Sequence, residues 1–65
     1  MPEKWTGNLV GRMHNERVTL DDLAKQMGLS RGYVSMILNG KRSPDGAKER
    51  LNTAFADVLA ARKEQ

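Results

Sequence analysis

An all-α domain of four helices, the last one long, is what this 65-residue sequence predicts. Two observations carry that prediction. Apolar residues recur at helical spacing in four stretches, and each stretch is bounded by a capping residue or a glycine. No segment alternates with the two-residue period of a strand, and there is no repeat or low-complexity tract. The stretches are separated by about two to five residues, so consecutive helices must be neighbours.

The elements follow in order. Thr6 or Asn8 is placed to cap a first helix reaching about Glu16, with Leu9, Val10 and Met13 as its apolar side. Gly7 and Gly11 weaken it, so tertiary packing must hold it. Trp5, just ahead of this helix, is read as a core or staple residue. Thr19 opens the second helix and precedes Asp22 by three residues, a short-armed capping box. Asp21 and Asp22 also oppose the positive N-terminal end of the helix dipole. Leu20, Leu23, Ala24 and Met27 then recur at helical spacing, and Gly28 ends the helix. Ser30 caps a third helix, Arg31 to about Leu38, which turns Val34, Ile37 and Leu38 inward. Asn39-Gly40 stops it. Ser43 as cap and Pro44 at the first helical position predict a fourth helix over about 44–62, with Ala47, Leu51, Ala54, Phe55, Val58 and Leu59 as its apolar face.

Composition bounds the function. The chain makes one domain over residues 1–65, burying about 60% of its unfolded surface. It has no cysteine, hence no disulfide framework and no thiolate metal site. No apolar run approaches the roughly 18 residues needed to span a bilayer, so a membrane partner is not expected and a cytoplasmic setting is. No nucleophile–base pair, metal cluster or phosphate loop points to an enzyme, and no cofactor or small-molecule ligand is expected. His14 has no second histidine with which to share a metal, and adjacent Asp21 and Asp22 diverge on a helix. The net charge is +3, and its placement matters more than its size. Residues 1–30 and 43–65 are each balanced, four basic against four acidic side chains. The excess is Arg31, Lys41 and Arg42, with no carboxylate among residues 31–42. Such a cationic stripe on one helix and its following loop fits contact with phosphates.

Counting Leu20 as the first position, small Ala24 falls at the fifth, Gly28 at the ninth, Val34 at the fifteenth and Ile37 at the eighteenth. Ala24 permits close packing of a second helix, Gly28 supplies a left-handed turn, and Val34 with Ile37 locks that helix down. The run T-L-x-x-L-A-x-x-M-G-L-S-R-x-x-V-S-x-I-L-N-G-K-R-x-P over Thr19–Pro44 resembles the helix-turn-helix of the phage repressor and Cro-like family, the xenobiotic-response-element (XRE) type. The resemblance implies a lambda-repressor-like fold. It also implies a transcriptional regulator, a repressor that binds a short operator in double-stranded DNA as a homodimer through the major groove.

Carried over residue by residue, the base-reading positions are Arg31, Gly32 and Met36, flanked by Tyr33 and Ser35. Arg31 is suited to a guanine edge, since its guanidinium can donate two hydrogen bonds there. Gly32 has no side chain to report a base and instead lets the helix approach closely; Met36 can touch a thymine methyl. Tyr33 is read as a DNA contact, with packing against the second helix as the alternative. The phosphate-binding positions are Thr19, Leu20, Ser30, Asn39, Lys41 and Arg42. Where the family often has glutamine, Leu20 offers only its backbone N–H. In the last helix Phe55, Ala56, Leu59 and Ala60 form a candidate dimer seam. The same face supports a second reading, a protein-interaction module such as an antitoxin or adaptor.

Overall fold

The computed structural model describes residues 4–63, which form four helices and no strand. They are α1 (Lys4–Glu16), α2 (Leu20–Met27), α3 (Arg31–Leu38) and α4 (Ala47–Lys63). The long α4 is the spine. It packs most extensively on α2, α2 packs in turn on α3, and α1 touches both α3 and α4. The centre is made of side chains one turn apart on each helix: Leu9 and Met13 of α1, Leu23 of α2, Val34 and Ile37 of α3, and Leu51 and Phe55 of α4, all buried. Full burial of a residue such as Leu51 contributes roughly 1.5–3 kcal/mol.

The turns that set the helix angles share one construction. After α1, α2 and α3 in turn, a residue with positive φ reverses the chain: Arg17 at 56°, Gly28 at 69° and Gly40 at 79°. In each case the next N–H reaches back five residues to a helix carbonyl. Val18 donates to Met13 at 2.8 Å, Leu29 to Ala24 at 2.9 Å and Lys41 to Met36 at 2.9 Å. This is the Schellman motif, and in α1 its apolar contact is between buried Val18 and Met13. At the other ends, α2 has the full capping box, with Asp22 N–H donating to Thr19 Oγ1 at 3.1 Å and Thr19 N–H to Asp22 Oδ2 at 2.9 Å. Ser30 Oγ accepts from Tyr33 N–H at 3.1 Å and caps α3.

Four expectations are corrected. α1 already contains Trp5 and Thr6: Thr6 is buried in the helix rather than capping it, and Trp5 is half-buried against the core. Val10 does not join the apolar side; it is 46% exposed, because the core lies under Leu9 and Met13. The fourth helix begins at Ala47, not Pro44. Ala47 N–H closes a turn onto Pro44 carbonyl oxygen at 3.1 Å, Gly46 takes φ 74°, and Arg50 N–H to the Gly46 carbonyl at 2.9 Å opens the helix. Finally, Phe55 is 1% exposed and belongs to the core, so it is not available to a dimer seam.

One cross-link ties the end of α4 to the turn between α1 and α2. The Arg62 guanidinium donates to the carbonyls of Glu16 (2.7 Å) and Arg17 (2.8 Å), closing the C-terminus of α1, and lies 3.3 Å from Asp22 Oδ2. Asp22 is held below the ordinary carboxylate range, first by the hydrogen bond from the Thr19 backbone and then by the Thr19 hydroxyl, Arg62 and Lys25. Burial pushes the other way without reversing the direction.

Two stability predictions follow from these ends. Arg17→Gly removes the steric strain of a side chain at positive φ while keeping both carbonyls for Arg62, and should stabilise by about 0.5–1 kcal/mol. A urea midpoint that falls instead would show that the Arg17 side chain matters more than its backbone. Because the folded pKa of Asp22 is depressed, its contribution is present above the unfolded value of about 3.9 and lost as pH falls through the folded value. The stability gap between the parent chain and Asp22→Asn should therefore narrow between about pH 5 and pH 2. A gap constant across that range would rule out the charge as its source.

Candidate nucleic-acid interface

The interface is built on α3 because α3 is buried on one side only. Val34, Ile37 and Leu38 face the core, and Ala24 of α2, 4% exposed, allows the close approach beneath them. The same register leaves Arg31 and Gly32 exposed, with Ser35 and Met36 half-covered beside them. Beyond its chain neighbours and the backbone of its own helix, no atom lies within 4 Å of where a Cβ on Gly32 would sit, so packing inside the domain does not require a glycine there. Tyr33 is half-buried and lines a small pocket together with Met27, Leu29, Ile37 and Pro44.

The electrostatics of α2 and α3 meet at Arg31. Its Nε lies 3.9 Å from Asp21 Oδ1, both side chains more than three-fifths exposed. A pair so wide and so wet is worth no more than about 1 kcal/mol, so Arg31 is free to leave it for a stronger acceptor. The N-terminus of α2 presents a mixed picture. Capping engages the N–H groups of Thr19 and Asp22, so the first-turn donors left are those of Leu20 and Asp21. Two carboxylates share that terminus, Asp22 offset by Arg62 and Asp21 by Arg31. An anion is less welcome there than at an unoccupied helix N-terminus.

The loop after α3 is different. Lys41 and Arg42 both turn their backbone N–H groups back onto the Met36 carbonyl, at 2.9 and 3.2 Å, which pins the loop and leaves both side chains exposed. Neither pairs with a carboxylate among the described residues. Asn39 Nδ2 donates to Ser35 Oγ at 3.1 Å, tying the end of α3 to its own middle, and the Ser30 hydroxyl oxygen is engaged in capping. The structure thus brings Arg31, Gly32, Ser35, Met36, Asn39, Lys41 and Arg42 onto one helix and its adjoining loop, with Thr19 and Leu20 on the neighbouring helix end.

Sequence reasoning missed Arg62, which it counted only among the balanced charges of residues 43–65. Its three acceptors lie 40 to 46 residues away, and no local pattern signals such a contact. No helix is long and apolar enough to cross a membrane among the described residues.

The family model for helix-turn-helix domains of the XRE type matches residues 15–48, from the end of α1 into the first turn of α4. No curated protein and no solved structure matches the chain. The matched span is more than half of the 65 residues and contains the whole α2–turn–α3 unit described above. The chain belongs to the XRE-type helix-turn-helix family of DNA-binding regulators.

Proposed function

We propose that this protein is a sequence-specific reader of duplex DNA that represses by sitting on a short operator as a dimer. The observation that carries this reading is the division of α3: three buried apolar residues fix its angle, and the outward side with its loop carries Arg31, Lys41 and Arg42 without a carboxylate. In the major groove, Arg31 reads a guanine edge, Ser35 and Tyr33 lend hydroxyls, and Met36 covers a thymine methyl. Gly32 removes the one side chain that would hold the helix off the base pairs. Lys41 and Arg42 clamp the phosphates, helped by Asn39, by the capping residues Thr19 and Ser30, and by the Leu20 amide. Repression is by occlusion and needs no chemistry.

The dimer seam in this reading is the outer side of α4. Ala56 and Ala60 are exposed and small enough for close approach, and Leu59 is half-buried, with apolar surface left to cover. With Phe55 taken into the core, the seam rests on these three residues.

Selection of bound fragments from a random duplex pool should return a palindrome, and the selected duplex is the probe for the reader. Arg31→Glu should keep the helical circular-dichroism signal, since an acidic residue suits the first turn of a helix. It should abolish the gel shift. The parent complex should weaken steeply with salt, with a log–log slope of about −0.9 per phosphate contacted. An unchanged shift with Arg31→Glu would remove α3 as the reader.

A further inference from the structure

A second cationic surface lies away from α3, in the cleft between α1 and the first half of α4. Lys4 and Arg12 come from α1, Lys48 from α4, with Asn8 and Asn52 as neutral donors and Trp5 as an apolar wall; no carboxylate among the described residues lines it. Among the described residues the ion pairs are Arg31–Asp21 and Arg62–Asp22, so none of the three cleft cations has an acidic partner. Arg12 is also held in place. Its guanidinium carbon sits 4.8 Å from the centroid of the Phe55 ring, and Phe55 is itself in the core. A guanidinium stacked on a fixed aromatic keeps its N–H edges pointing outward at little entropic cost on binding. Asn52 is likewise fixed, Nδ2 donating to the Lys48 carbonyl at 2.7 Å.

Of the charged residues of α4, Lys48 is the one that lines the cleft. Glu49 and Asp57 line the opposite groove together with Arg50, against Gln26 and Met27 of α2. Lys48 stands in the first turn of α4, where the positive end of the helix dipole adds to its charge, and it follows closely in sequence on Lys41 and Arg42. Lys48 follows Arg42 in the chain with Asp45 between them, and it shares the cleft with Arg12 and Lys4.

We propose that this α1–α4 cleft is a second phosphate site, which takes the DNA backbone beyond the stretch held by Lys41 and Arg42. The inference rests on the duplex binding proposed above. It adds α1, which the helix-turn-helix itself leaves out, to the DNA-facing surface. Trp5 is the only tryptophan of the chain and lines the cleft, so its emission reports occupancy directly.

The test titrates the full chain with the selected duplex and, separately, with inorganic phosphate. Duplex should change the Trp5 emission to saturation. The doubly substituted Lys4→Gln, Lys48→Gln protein, whose replacements are both at exposed positions, should bind more weakly, its salt slope shallower by about 0.9 per lysine removed. An unchanged slope in that variant, with Arg31→Glu still abolishing the shift, would overturn the cleft and leave the α3 reading intact. A Trp5 response to inorganic phosphate but none to duplex would overturn it too, assigning the cleft to a small anion. A parent chain that binds no duplex would overturn both readings at once.

Discussion

Leu23, Val34 and Leu51, one from each of α2, α3 and α4, have no measurable exposure, and the rest of the molecule depends on their meeting. A chain of this size has a narrow stability margin, since a domain near 60 residues buries only about 60% of its unfolded surface. The placement of the exposed side of α3 therefore holds only as far as this contact does. Ala24 sets how near α3 can come, and Gly28 sets the direction in which the chain returns. A larger side chain at the first position or a β-branched one at the second would move α3 bodily, with its exposed residues unchanged in identity but displaced in space.

The helix ends do comparable work at lower energy. Three Schellman turns consume carbonyls that would otherwise point unsatisfied into short loops, and two side-chain caps do the same for amides. Arg62 then connects what the turns leave separate. It closes the end of α1 and neutralises the carboxylate at the start of α2 from the far end of α4. The last turn of α4 is thereby coupled to the end of α2 that lies beside α3. If α4 also forms the dimer seam, subunit association and the setting of α2 share one guanidinium.

What could be read from the residues alone follows their range of action. The capping box of Thr19 and Asp22, the cap at Ser30, the left-handed Gly28 and the inward set Val34, Ile37 and Leu38 are all local, and each signal lies within a turn or two of its effect. The failures share the opposite character. Pro44 has the right chemistry for a first helical position, but the chain must first swing from α3 to the axis of α4, and it uses Pro44 to Gly46 as a turn. Arg17 adopts positive φ with no glycine to announce it, because Val18 must drop onto Met13. Phe55 was one apolar residue among several on a long helix, and only the packing of the other helices on α4 places it in the core. For the interface, the exposure of Arg31 and Gly32 agrees with helical register and that of Lys41 and Arg42 with their place in the loop, whereas the carboxylate opposing Arg31 and the cleft beside Lys48 needed three dimensions.

The central claim is that the outward side of α3, held at a fixed angle, is what meets a duplex. Amide chemical-shift mapping of the labelled chain against the selected duplex tests this most directly, since it localises contact without substituting any residue. The account predicts large perturbations at Arg31, Gly32, Ser35, Met36, Asn39, Lys41 and Arg42, with smaller ones at Thr19, Leu20 and the buried Val34, Ile37 and Leu38. Perturbations confined to the outer side of α4, with residues 30–42 unmoved, would contradict it and return the chain to the class of protein-interaction modules.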